Sequence, residues 1–153
     1  MADSDDIWMR QALHLAQRAA DLGEVPVGAI VVHDNTMIGS GHNAPISTNN
    51  PAGHAEIIAL QQAAKHMQNY RLPNTTLYVT IEPCMMCLGA MTHARIKRLV
   101  FGSQEPKAGA VKSQLDYEAL TFLNHRIEHL GGVLDTECSA IIKRFFKKKR
   151  QQN

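Results

Sequence analysis

Four residues carry the sharpest chemistry in this sequence: His54, Glu56, Cys84 and Cys87. Cys84 and Cys87 are three apart, so on a helix their sulfurs share one face and can reach one ion. A helix N-terminus lowers a thiol pKa and favours the thiolate that zinc requires. In a reducing compartment such a close pair signals metal or redox chemistry rather than a disulfide framework. His54 is the natural third ligand. Cys138 stands far along the chain in an amphipathic segment, so the sequence offers no obvious fourth. Three protein ligands leave one position for water, which separates a catalytic zinc from a closed structural one. Glu56 then suits a proton carrier, because zinc brings bound water toward neutral pKa and a carboxylate can move the proton. Residues i and i+2 of a regular helix point to opposite sides, so His54 and Glu56 can share a site only at a helix's open N-terminal end.

The elements that must position these residues follow from pattern. Residues 4–22 read as a helix with Ile7, Ala12, Leu15, Ala16, Ala19 and Leu22 on its apolar face. Residues 27–33 and 36–40 flank the turn signal Asp34-Asn35 and form a hairpin. Residues 41–53, rich in Gly, Pro, Asn, Ser and Thr, form a loop that delivers His54 to a helix over 54–67. A strand over 76–81 runs into Glu82-Pro83-Cys84, and proline belongs in the first turn of the following helix, 84–94. A strand over 98–101 completes a strand-helix-strand unit, which implies a parallel pair. A short helical patch near 116–123, a weak strand near 126–130 and a last helix follow. That helix is capped by Asp135 and carries Ile141, Ile142, Phe145 and Phe146 on its apolar face. The expected architecture is α/β, a mixed sheet with helices packed on it, in a single domain over 1–153. Met85 and Met86 are expected to fill core or pocket-wall space.

Composition sets the remaining bounds. Apolar residues make up 44% and charged residues 20% of the 153, which is ordinary for a globular protein able to bury a core. No apolar stretch is long enough to span a bilayer. The opening Met-Ala-Asp-Ser-Asp-Asp is acidic and lacks the basic-then-apolar order of a secretory signal, so the expected compartment is the cytoplasm. The formal net charge of +2 divides into +6 on the last eleven residues and −4 on the rest. A basic tail on an acidic body suits a polyanionic partner, and equally suits a solvated helix C-terminus.

His-x-Glu followed by Pro-Cys-x-x-Cys is the signature of zinc deaminases that act on nucleobases. The chain resembles the bacterial tRNA-specific adenosine deaminases along nearly its whole length. The likeness is carried by residues 23–29 (Gly-Glu-Val-Pro-Val-Gly-Ala), 54–57 (His-Ala-Glu-Ile), 67–72 (Met-Gln-Asn-Tyr-Arg-Leu), 77–84 (Leu-Tyr-Val-Thr-Ile-Glu-Pro-Cys), 93–96 (His-Ala-Arg-Ile), 100–102 (Val-Phe-Gly), 124–126 (Asn-His-Arg) and the Phe145-Phe146-basic tail. The resemblance implies a cytidine-deaminase-like, three-layer α-β-α fold with a five-stranded mixed sheet. It also implies a homodimer with one zinc ion per subunit that deaminates the wobble adenosine of a tRNA anticodon stem-loop. By matching position His54, Cys84 and Cys87 would hold zinc and Glu56 would be the general acid/base. Asn43 would hydrogen-bond the flipped base, and Pro26, Val27 and Ala55 would line its pocket. Glu105, where the family usually has Asp, falls in a loop that the resemblance puts against the nucleic acid. Phe146 and Lys147 would join an aromatic platform to phosphate-seeking charge.

Overall fold

The structure, a computed structural model, describes residues 2–152. Its elements run α1 (Ala2–Asp21), β1 (Gly28–His33), β2 (Thr36–His42), α2 (Ala55–Met67), β3 (Thr75–Ile81), α3 (Met85–Ala94), β4 (Arg98–Ser103), a 3-10 turn (Tyr117–Ala119), β5 (Glu128–Leu130) and α4 (Asp135–Gln152). One five-stranded sheet has the order β2-β1-β3-β4-β5. β1 pairs antiparallel with β2 and β3, while β3, β4 and β5 run parallel. The sheet is therefore mixed, as the hairpin and the strand-helix-strand unit required.

Both faces of the sheet are covered, and the period-2 alternation of the strands divides the core in two. Ala29, Val31, Leu77, Val79, Leu99 and Phe101 point to one side, where they meet Ala55, Ala59, Leu60 and Ala63 of α2 and Leu88 and Met91 of α3. Ile30, Val32, Tyr78 and Val100 point to the other, against Met9 and Ala12 of α1 and Cys138 of α4. Gly28 makes the α1 side possible: a β-carbon there would run into the Ala12 carbonyl, so only glycine lets the helix lie this close.

The structure corrects the inward face of α1. Ile7 and Leu22 are exposed, whereas Met9, Ala12, Ala16 and Ala19 are fully buried. Asp5 continues that stripe at i−4 from Met9, and it explains the error, because a carboxylate was not expected in the core. Tyr78 Oη donates to its Oδ1 at 2.8 Å, and Arg98 grips both oxygens at 2.8 and 2.7 Å. The guanidinium holds the Asp5 carboxyl below its ordinary pKa against the opposing effect of burial. Three further expectations are adjusted at element ends. β2 continues to His42, so the loop begins at Asn43. Asp135 lies inside the first turn of α4 and does not cap it, accepting instead from Ser139 Oγ at 3.1 Å. Of the four residues expected on the apolar face of α4, Ile141 is buried, Ile142 and Phe145 are half-buried, and Phe146 is exposed.

Because the folded pKa of Asp5 is depressed, its contribution to stability is complete above the ordinary value of 3.8 and is lost as pH falls below it. Asp5→Ala, which strands Arg98, should cost about 3 kcal/mol at neutral pH. Urea titrations at pH 7 and pH 3 should show that difference shrinking at the lower pH.

Candidate active site

Two helices point their N-termini at one spot. His54 is the N-cap of α2 (φ −78°, ψ 149°) and Cys84 is the N-cap of α3 (φ −78°, ψ 174°), and neither side chain caps its own helix. An N-cap residue normally turns a side-chain oxygen back onto the first N–H groups. Imidazole and thiol do not, and these two turn toward each other instead. His54 Nδ1 lies 3.6 Å from Cys84 Sγ and 3.4 Å from Cys87 Sγ. The three donor atoms all fall within 4.8 Å of one another. On a tetrahedral zinc, with Zn–S about 2.3 Å and Zn–N about 2.0 Å, a nitrogen and a sulfur stand about 3.5 Å apart. The donor set therefore fits that ion in chemistry and in spacing. Cys138 is not a fourth member: it is buried in the opposite core, where burial pushes its thiol up to about 12.

The extended backbone at His54 also resolves the i, i+2 problem. His54 lies outside the regular helix, so its ring and the Glu56 carboxyl share the helix tip. Glu56 is 3% exposed, and burial pushes its carboxyl up to about 7, with His54 and Cys87 beside it. The hydrogen bond from Cys87 brings the Cys84 thiol down to about 4, and contact with His54 acts in the same direction. That same bond, reinforced by burial, raises Cys87. Contact with Cys84 raises His54.

The residues expected to bind substrate fall into two groups. Pro26 and Val27 precede β1, Asn43 follows β2, and Ala55 follows His54 at the start of α2. Asn43 N donates to Val27 O at 3.0 Å, and Ala44 N to Gly53 O at 2.9 Å, which closes the loop and brings Asn43 beside the His54 end of α2. All four are buried. Glu105 and Phe146 lie elsewhere, on a groove of about 810 Å³ between the end of β4 and α4, together with Ile81, Lys107, Lys112 and Lys143. Lys147 is exposed one residue beyond it. Met85 and Met86 depart from expectation. They are exposed in this chain, at 74% and 37%, and fill no core space.

Two buried carboxylates at this end of the sheet went unread as anchors in the sequence. Glu24 accepts from Ile46 N at 3.3 Å, Ser47 N at 2.7 Å and Ser47 Oγ at 2.7 Å, and so pins the loop that follows Asn43. Glu82 accepts from the loop after β4. Burial opposes ionisation of both, but the donors outweigh it and keep both below the ordinary carboxylate range. A Pro-flanked acid such as Glu24-Val25-Pro26 or Glu82-Pro83, set beside a site segment, was the signal available.

A five-stranded mixed sheet carrying a His/Cys/Cys cluster and a buried glutamate at two helix tips defines a nucleobase deaminase of cytidine-deaminase-like fold. Residues 3–150 match the MafB19-like deaminase family. The chain is 50% identical to the tRNA-specific adenosine deaminase of Haemophilus influenzae, over 99% of this chain and 88% of that one. Its fold superposes with a TM-score of 0.84 on a tRNA:A34 deaminase studied for A-to-I editing at the wobble position, 38% identical over 87% of this chain and 96% of that one. The guanine deaminase of Bacillus subtilis is a more distant match, with a TM-score of 0.60 and 36% identity over 63% of this chain and 62% of that one. The chain belongs to the tRNA-specific adenosine deaminase family.

Glu24→Ala would strand the N–H groups of Ile46 and Ser47 and should cost roughly 2 kcal/mol. Hydrogen exchange at those two amides should accelerate, while the α3 amides stay protected.

Proposed function

We propose that this chain hydrolyses the wobble adenosine of a tRNA anticodon to inosine, with release of ammonia. The observation that carries this reading is the meeting of His54, Cys84 and Cys87 at one point with the buried Glu56 beside them. It is supported by a relative at 50% identity over nearly the full length. His54 Nδ1 and the two sulfurs would hold one zinc ion per subunit, and zinc when bound lowers the pKa of water toward neutrality. Glu56 takes the proton from the attacking water, hands it to the ring nitrogen next to C6, and moves a proton to the departing amine. Oxygen adds to C6, the C6–N bond breaks, and water and adenosine leave as inosine and ammonia. Burial keeps the Glu56 carboxyl away from bulk solvent, so the proton it carries stays local. Asn43 hydrogen-bonds the flipped base, and Pro26, Val27 and Ala55 supply its apolar walls. An anticodon-loop base is already partly unstacked, so extruding it costs little.

The groove and the tail suit the rest of the RNA. Lys107, Lys112 and Lys143 border the groove, and Phe146 offers an aromatic face at 40% exposure. Lys147, Lys148, Lys149 and Arg150 extend that charge along exposed turns of α4. Phosphates bind such charge without regard to sequence, while the aromatic face can stack a base. A homodimer is supported by the apolar side chains of Met85, Met86 and Tyr70, each exposed in one chain. No described helix is long and apolar enough to cross a membrane. We place the protein in the cytoplasm, where its thiols stay reduced and tRNA is at hand.

An anticodon stem-loop should gain one inosine, while free adenosine, cytidine and guanine release little ammonia. Comparable turnover of a free base with an inert stem-loop would replace tRNA with a small substrate. Glu56→Gln should retain zinc and bind RNA normally yet lose roughly 10³-fold in turnover; substantial remaining activity would put the proton carrier elsewhere. Changing Lys147, Lys148, Lys149 and Arg150 to Gln should weaken RNA binding and flatten its salt dependence by about 0.7 in log–log slope for each phosphate that is no longer neutralised. An unchanged slope would return the tail to an ordinary solvated helix end.

A further inference from the structure

Glu82 follows the last residue of β3 and precedes Pro83 and Cys84, yet its carboxylate faces away from the chemistry. It is 1% exposed, and no ion pair among the described residues involves it. Five donors surround it instead. Glu105 N at 3.1 Å and Ser113 Oγ at 2.5 Å meet Oε1. The consecutive amides of Val111, Lys112 and Ser113, at 3.0, 2.7 and 3.0 Å, converge on Oε2. Convergent N–H groups of this kind stabilise a buried anion without a cation.

The donors come from two arms of one loop, residue 105 on one side and residues 111–113 on the other. Between them Gly109 N returns to Glu105 O at 2.9 Å, and Ala110 N donates to Pro83 O at 2.9 Å, one residue from Cys84. The arch is closed tightly over the anchor, since a β-carbon on Gly109 would strike the Glu82 carboxyl group. On its outer side the arch presents Glu105, Pro106, Lys107 and Lys112 to the groove that Phe146 borders. One carboxylate thus fixes an arch that bonds to Pro83, next to Cys84, and borders the groove.

We propose that Glu82 is a positioning residue for the polynucleotide, holding the 105–113 arch so that the groove keeps its shape relative to the base pocket. The assignment rests on the tRNA reading above. Glu82 touches neither the groove nor the three donor atoms, so its effect passes through Glu105, Lys107 and Lys112. A uniform binding contribution of this kind appears in KM, while interactions made only in the transition state appear in kcat.

Glu82→Gln separates the two arms. Three amides need an acceptor at Oε2, whereas the Ser113 hydroxyl can turn and accept at the other position. The side-chain amide group therefore replaces Oε1, and the Glu105 N–H loses its acceptor. Hydrogen exchange should accelerate at Glu105 and stay slow at Val111, Lys112 and Ser113. KM for the stem-loop should rise about tenfold with kcat within about threefold of wild type, at unchanged zinc content. Ser113→Ala, which removes a single donor and preserves the charge, should move KM the same way by about twofold to threefold, and it decides the matter if Glu82→Gln does not fold. An unchanged KM and RNA affinity in the folded variants would overturn the assignment. So would a collapse of kcat or loss of zinc at constant KM, which would put Glu82 on the metal side. Wild-type protein that binds the stem-loop but forms no inosine would sink the editing reading alone, and the affinity and exchange measurements would still decide the role of Glu82. Wild type that does not bind the stem-loop overturns both.

Discussion

The structure depends on two helix N-termini brought nose to nose with the wrong capping residues in place. His54 and Cys84 occupy positions where an oxygen would normally satisfy the first amides, and neither side chain does so. The two helix ends instead share a cluster of one nitrogen and two sulfurs. The Cys87 thiol, His54 and the Cys87 amide at the start of α3 together favour a thiolate at Cys84. Placing the tips together is the work of the sheet. β3 runs parallel to β4 with α3 between them, and β1 and β2 carry the loop that feeds α2. The alanines of α2 (Ala55, Ala59 and Ala63) let that helix lie close on the sheet, and the site inherits its rigidity from this packing.

Around that centre, acidity is used in two opposite ways. Glu56 has few donors and is buried, so its carboxyl is pushed up into the range where it can both take and give a proton. Glu24 and Glu82 are equally buried but are met by convergent backbone amides, so they stay ionised and hold loops. The contrast follows from hydrogen-bond supply, because burial acts on all three in the same direction. It separates the acid suited to chemistry from the acids suited to scaffolding without reference to any relative.

Much of this was legible in the residues. The continuous apolar runs Ala29-Ile30-Val31-Val32 and Leu77-Tyr78-Val79 mark strands, and the structure covers both of their faces with helices. Pro83 before Cys84 marks a helix start, and it marks the site as well. What was not legible has a common cause, namely polar groups satisfied at long range. Asp5 is inward because Tyr78 and Arg98, more than seventy residues away, supply its partners, and that register turned Ile7 and Leu22 outward. Glu24 and Glu82 look like surface acids until the loops that wrap them are seen. Met85 and Met86 carry the opposite lesson, since an apolar side chain at a helix start need not be covered by its own chain.

X-ray absorption at the zinc edge of purified protein tests the central claim most directly. A single ion on the shared helix tips predicts two sulfurs at about 2.3 Å and two lighter ligands at about 2.0 Å, one imidazole nitrogen and one exchangeable oxygen. Four protein donors with no exchangeable oxygen would make the site structural, and active protein free of metal would remove zinc from the chemistry altogether.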